Sequence, residues 1–298
     1  MELTDHEVRE VVRAEQEARL AKERGTMSDR KYKALLADYE RVLAENQALT
    51  SVAGHKSTPM NIKPRSNTKE SEAVPMIVLS DWHSEEKVDP RTIGGKNKYT
   101  LELAQARATR VFHSAVKLMK EKENDVAINE VAVFLLGDFI TGNIHEENVE
   151  NALLLPVEAC LFAQDMLEGG IDYLLASTPW NYTFYCKVGN HSRITSKVHA
   201  STEFGNSLEL AMYVSMLKKY RDNPRVRFHI EPSYISVVKI LNTRVRYHHG
   251  HAVAYGGGVG GLHIPLRKAI KSWNENERAD FDVMGHYHGF IENSTLKY

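Results

Sequence analysis

Cysteine is nearly absent: the 298-residue chain contains two, Cys160 and Cys186. Two thiols build no disulfide framework and lack the spacing of a metal finger, so the sequence predicts a reducing, cytoplasmic setting. Long hydrophobic runs are missing as well. No apolar stretch approaches the roughly 20 residues that cross a bilayer. Charge begins at Glu2, where a signal peptide would build its apolar core. A membrane is therefore not an expected partner. Charge of one sign is lacking too, with 38 Lys and Arg against 39 Asp and Glu and a formal net charge of -1. That balance excludes a globally basic binder of nucleic acid, and any polyanion must be met by a local patch. Finally, there is no P-loop: the glycine-rich run from Gly256 to Gly261 is not followed by Gly-Lys-Ser/Thr. It reads as a mobile connection or as a flap whose backbone N–H groups approach phosphate.

Histidine, by contrast, is frequent at 14 residues, and most fall in the C-terminal half. That asymmetry points to metal chemistry. The chain itself divides in three. Residues 1–52 read as a helical hairpin. Thr4 and Glu7 form a capping-box pattern, Gly25 is the expected stop of the first helix, and Ser28 caps the second. Tyr32, Leu35, Leu36, Tyr39, Val42 and Leu43 make an apolar stripe at helical spacing. This appendage either packs on the catalytic domain or serves as an oligomerisation or partner-docking arm. Residues 53–73 are rich in Ser, Thr, Pro and Asn and carry Lys56, Lys63, Arg65 and Lys69, the composition of a linker. Residues 74–298 alternate short apolar runs with helical patterns, which predicts an α/β domain.

The apolar runs of that domain share one feature. Met76 to Ser80 reads as a buried strand and leads into Asp81-Trp82-His83. Val131 to Leu136 leads into Gly137-Asp138, and Thr183 to Val188 into Gly189-Asn190-His191. Arg244 to His248 leads into His249-Gly250-His251, and Phe281 to Met284 into Gly285-His286-Tyr287-His288. Taken singly, each block is an ordinary turn. Five strand ends each bearing carboxylate, amide or imidazole donors are another matter, because open α/β sheets place their chemistry at the carboxyl ends of strands. Predicted helices cover Leu101 to Lys122, Glu147 to Leu167, Ser207 to Tyr220 and Pro265 to Trp273. Two further strand-like runs are Val226 to Ile230 and Tyr234 to Ile240. Ile291 to Leu296 reads as the start of another strand, so the domain is expected to be incomplete at its C-terminal end.

The set Asp-x-His, Gly-Asp, Gly-Asn-His, His-Gly and Gly-His-x-His resembles the calcineurin-like metallophosphoesterase superfamily, over roughly residues 74–298, and its exonuclease-like and phage-type branch in overall pattern. The resemblance implies a four-layer α/β/β/α sandwich holding two divalent cations. Manganese is the leading candidate, with iron, zinc or magnesium as alternatives; carboxylate plus imidazole suits several of them. Carried over by position, one cation is held by Asp81, His83, Asp138 and His288, and the other by Asp138, Asn190, His249 and His286. Asp138 bridges them, and His191 faces the substrate phosphate. The implied reaction is attack of a metal-activated hydroxide on phosphorus, with two cations clamping the attacking and leaving oxygens. Arg193 and His251 are candidate substrate contacts. The chain departs from the protein phosphatases of the superfamily: Gly137-Asp138 is not followed by Asp-Arg-Gly, and Gly189-Asn190-His191 is followed by Ser192 rather than Glu. The acidic partner that orients the active-site histidine there is missing. The expectation is therefore a phosphodiesterase or nuclease acting on DNA, and the alternative is a hydrolase of small phosphoesters such as nucleotides or cyclic nucleotides. Arg267, Lys268 and Lys271, after the glycine loop, are the expected basic face. A noncatalytic metal-stabilised scaffold is disfavoured by the complete ligand set.

Overall fold

The computed structural model describes residues 71–199, 201–255, 257 and 261–289, together with Glu15, Glu17, Arg19, Leu20, Gly25 and Lys33. The chain divides into two compact units, Met1–Ser57 and Thr58–Tyr298. All six described residues of the first unit are helical, Gly25 among them. Gly25, the expected stop of the first helix, is itself in helical backbone, where glycine costs about 1 kcal/mol relative to alanine; the residues that follow it, to Tyr32, lie outside the described residues. The remainder of the expected hairpin, its docking or oligomerisation role, the linker cations and the strand at 291–296 lie outside the described residues. Among the described residues, no helix is long and apolar enough to cross a membrane.

The second unit is mixed α/β. Its strands in chain order are β1 (Glu72–Ala73), β2 (Met76–Leu79), β3 (Ala127–Ile128), β4 (Glu130–Leu135), β5 (Asn181–Cys186), β6 (Val226–Ile230), β7 (Ile235–Ile240), β8 (Thr243–His248) and β9 (Phe281–Met284). The helices are α1 (Leu101–Lys122), α2 (Glu146–Asn151), α3 (Pro156–Ser177), α4 (Leu208–Tyr220) and α5 (His263–Asn276). An all-parallel sheet has the order β2-β4-β5-β6. A second sheet has the order β7-β8-β9, with β7 antiparallel and β9 parallel to β8. A short parallel pair, β1 with β3, flanks them. The expected linker thus ends earlier than residue 73, because Glu72 and Ala73 already pair with Ala127 and Ile128.

Strand β4 explains how the layers are held. It is buried on both faces, and successive side chains of a strand point to opposite sides. Val131, Val133 and Leu135 enter a core shared with Phe112 and Val116 of α1, Ala163 and Leu167 of α3, and Met212 and Tyr213 of α4. Ala132 and Phe134 enter a second core with Val238, Ile240, Val245 and Tyr247 of the other sheet. The alternate residues of β8 meet α5: Arg246, fully buried, donates to Asn274 Oδ1 at 2.6 Å and to Asp282 Oδ1 at 2.9 Å, and His248 packs edge-on against Trp273.

Two expectations need correction. β2 is an edge strand, not a buried one: Ile77 and Leu79 face inward while Met76 and Val78 stay exposed. The helix expected over Glu147 to Leu167 is two helices. Pro156 has no N–H to continue a helix from Asn151, but it suits the first position of a new one, and α3 then runs ten residues beyond Leu167, to Ser177.

Candidate metal centre

Because β2, β4 and β5 run parallel, their carboxyl ends open on one edge. The loops after them stay side by side. Asp81 N donates to Gly137 O at 3.0 Å, His83 N to Asp138 O at 3.1 Å and Ser84 N to Phe139 O at 3.0 Å. The loops after β8 and β9 are joined by Gly285 N to His249 O at 2.8 Å. The two sheets then meet through the ligand candidates themselves. His286 N donates to Asp81 Oδ1 and Oδ2 at 2.9 and 2.8 Å, and His249 Nδ1 lies 2.6 Å from Leu136 O.

The backbone at these positions is unusual. Among the described residues, six non-glycine residues have positive φ, and five of them are Asp81 (56°), His83 (44°), Asp138 (54°), His286 (74°) and His288 (46°). L-residues enter that region at an energetic cost, and clusters of such residues mark functional sites. The neighbouring glycines are sterically required. A Cβ on Gly189 would lie 2.0 Å from Asp138 Oδ1, and one on Gly285 would lie 2.0 Å from Ser80 Oγ.

Three groups of side chains are arranged so that they could hold a cation: Asp81 with His83 and His288, His83 with Asp138 and His191, and Asp138 with His249 and His286. The first and third follow the expected allocation. The second joins Asp138 to His83 but brings in His191, which was expected to face substrate. The donor chemistry fits a cation. His249 Nδ1 faces a carbonyl, which only accepts, so Nδ1 carries a proton. Its Nε2 then meets Asp138 Oδ2 at 2.8 Å and Asn190 Oδ1 at 3.0 Å. One nitrogen and two acceptor oxygens converge there, a set that a proton satisfies only in part. On the other side His83 Nε2 and His288 Nε2 approach to 3.1 Å, with Asp81 Oδ1 3.5 Å from the latter.

Ionisation follows from burial and neighbours. Burial holds His83 and His286 down at about 4, so both are neutral ligands at neutral pH. Burial acts the same way on His249, but the adjacent Asp138 outweighs it and pushes His249 up to about 9. Burial would raise Asp138 and Asp81. The imidazoles outweigh it: His249, His191 and His83 hold Asp138 far below the carboxylate range, and His288, with Ser80 and His249, holds Asp81 lower. The hydrogen bond that it donates to Asp81 raises His288. The anionic carboxylates and the neutral His83 and His286 are already in the forms that bind metal, whereas His249 and His288, raised by their carboxylate neighbours, would release protons to a cation.

The remaining candidates are placed as follows. His191 Nδ1 lies 2.8 Å from Thr141 O, so a backbone carbonyl takes the place of the missing acidic partner and leaves Nε2 open. Arg193, expected to touch substrate, is buried and donates to Asn190 O at 2.6 Å and Thr195 O at 3.2 Å, so its guanidinium braces the ligand loop instead. His251 Nε2 pairs with Glu203 Oε2 at 3.0 Å, next to His249. His145, Glu146 and Glu147 form the exposed start of α2, with the His145 ring 6.1 Å from that of His191. Arg267, Lys268 and Lys271 are exposed on α5.

Two buried acids were not anticipated. Glu85 Oε1 accepts from Thr141 N at 2.7 Å and Gly142 N at 2.8 Å. Glu209 on α4 accepts from Phe139 N at 2.7 Å, Gly189 N at 2.8 Å and Ser192 Oγ at 3.1 Å. Between them they fix the loops that carry Asp138 and Asn190. Burial and the nearby Asp138 push Glu209 up to about 7. The one sequence signal for Glu209 was an acid inside the apolar run Leu208 to Val214.

No family model matches the chain, and no curated protein matches it. Among solved structures, a protein of unknown function from Aquifex aeolicus is similar at 14% identity and a TM-score of 0.30, over 75% of this chain and 84% of that one. A likeness at that level carries no argument about fold or function.

Proposed function

We propose that the protein is a two-cation phosphodiesterase of the calcineurin-like metallophosphoesterase kind, with DNA as its natural diester. The observation that carries this reading is the convergence of Asp81, His83, Asp138, His286 and His288, all in left-handed backbone, from the ends of strands in two different sheets. The packing order supports it. Helices α1, α3 and α4, the parallel sheet, the mixed sheet and α5 succeed one another in the order of a four-layer α/β/β/α sandwich.

In this reading one cation is held by Asp81, His83, Asp138 and His288, and the other by Asp138, Asn190, His249 and His286. Bound cations of this kind supply Lewis-acid stabilisation of developing charge and acidify a water. The chain supplies the rest. His249 Nδ1–H, fixed on Leu136 O, presents Nε2 as a ligand. Glu85 and Glu209 hold the loop that presents Asp138. With Nδ1 held on Thr141 O, His191 in its imidazolium form would donate Nε2–H to a phosphate or leaving oxygen. Among the described residues of the ligand loops the arginines are committed, Arg193 to Asn190 O and Arg91 to Asp89, which favours a diester, since a monoester brings nearly a second charge to compensate.

The test combines metal analysis with rates on bis-p-nitrophenyl phosphate, p-nitrophenyl phosphate and labelled DNA. We expect two equivalents of manganese and a diester preference. Asp138→Asn should weaken both sites and lower the rate by at least about 100-fold, the lower end of the general acid–base and oxyanion range. Full occupancy and full activity in Asp138→Asn would overturn the allocation. A monoester preference, or no DNA cleavage with manganese, magnesium, iron or zinc, would transfer the assignment to small phosphoesters.

A further inference from the structure

Beside the centre lies a polar cavity of about 640 Å³ whose lining includes Asp81, His83 and His288 together with Glu86, Asn97, Tyr99 and Arg107. Its volume is in the range of small-molecule and cofactor sites, and a lone scissile phosphate would leave most of it empty. Arg107, exposed on the second turn of α1, has its guanidinium 5.1 Å from the centre of the Tyr99 ring. Tyr99 is itself fixed: it is buried, its hydroxyl donates to Trp82 O at 2.8 Å, and its backbone pairs with Val88 at 3.2 Å in both directions. Among the described residues, no carboxylate lies within ion-pair distance of Arg107.

A guanidinium held over a ring by its charge keeps N–H donors available to an anion. Planar donors of that kind match two oxygens of one phosphate. Asn97 and the Glu86 carboxylate offer an amide and an acceptor in the same cavity, partners for hydroxyl groups rather than for a second anion.

We propose that this cavity is a subsite for the nucleotide next to the scissile bond, in which Arg107, presented by Tyr99, binds the adjacent phosphate. The inference rests on the phosphodiesterase reading for its substrate class, and it makes the preferred substrate one with at least two successive phosphates. Specificity for a polynucleotide over a small diester then comes from a groove on the Asp81 side of the centre.

The experiment has a binding arm and a kinetic arm. The probe for binding is a fluorescein-labelled hexathymidylate with phosphorothioate links, followed by anisotropy in manganese buffer across a salt series. Arg107→Ala should weaken it at least about fivefold and flatten the salt dependence by about one phosphate contact. Arg107→Lys, which keeps the charge without the planar fork, should fall between. In the kinetic arm, the ratio of kcat/KM for the unmodified hexamer to that for bis-p-nitrophenyl phosphate should drop at least fivefold in Arg107→Ala, mainly through KM. Metal content and circular dichroism establish that both variants are folded and loaded. Binding by Arg107→Ala within twofold of the wild type, absence of hexamer binding by the wild type, or an equal loss on monoester, small diester and hexamer would each overturn the subsite. A wild type that binds the hexamer through Arg107 but turns over no phosphoester would sink the phosphodiesterase reading and leave the subsite standing.

Discussion

The imidazole of His191 sits 4.7 Å, centre to centre, from that of His83 and belongs to one of the three potential cation groups, yet its Nδ1 is tied to a backbone carbonyl. The two roles separate cleanly in a variant. His191→Ala should retain both cations and lose roughly 10²–10⁴ in rate, the usual span for a proton donor; loss of a cation equivalent together with activity would make it a ligand. A second residue-scale expectation concerns Lys187, which lies away from the ligands, donates to Ser233 O at 2.7 Å and Ser236 Oγ at 2.6 Å, and is 3% exposed. Burial pushes its ammonium down to about 8, from 10.5 in the unfolded chain. Below about pH 8 both states hold the proton and Lys187 adds no slope. Between about 8 and 10.5 the unfolded chain binds the proton and the fold does not, so stability rises with pH, by up to roughly 3 kcal/mol at 1.36 kcal/mol per unit. The difference between wild type and Lys187→Met in urea unfolding should show that rise across the window. Parallel curves for the two proteins would contradict it.

At the scale of elements, α4 is tied to the centre and α3 is not. Glu209→Ala strands three buried donors, Phe139 N, Gly189 N and Ser192 Oγ, at about 1–3 kcal/mol each. It should lower stability by roughly 3 kcal/mol or more and weaken metal binding in the molecules that remain folded. Gly170→Ala on α3 drives a Cβ to 2.1 Å from the Phe112 ring of α1. It should also lower Tm, but leave the cation count per folded molecule at the wild-type value. Equal effects of both variants on metal affinity would deny α4 its special part. This contrast also marks what the sequence could convey. Val226–Ile230, Phe281–Met284 and Leu101–Lys122 are legible to the residue, because each is an apolar run or a periodic stretch bounded by turn residues. The donors that converge at the candidate centre were legible because each follows such a run at once. Glu85, Glu209 and the carbonyl of Thr141 were not. Their partners lie 17 to 70 residues away along the chain, and no local pattern encodes a contact between two loops. Pro156 was visible but read as a passenger inside one helix instead of the start of the next. Arg193 was misjudged for a related reason: a charged residue beside a motif suggests substrate until the carbonyls that it grips are seen.

For the molecule as a whole, every ligand candidate lies in the second unit, beyond the boundary at Ser57. A chain beginning at Ser71, which keeps the pairing of Glu72 and Ala73, should bind two cations and hydrolyse a small diester as the full chain does. Loss of metal on truncation would place part of the centre's support in the first unit. The centre also has a mechanical consequence. Asp81, His83, Asp138 and Asn190 come from one sheet and His249, His286 and His288 from the other, with His83 and His288 separated by 205 positions in sequence. A cation shared across that boundary would act as a detachable staple that closes a loop of more than two hundred residues. Closing a long loop removes conformational freedom from the unfolded chain. A chelator would therefore do more than silence the reaction: the sheets would stay joined through the core of Phe134 and Tyr247, but the loops at their carboxyl ends would loosen, and protease cleavage within those loops would report it.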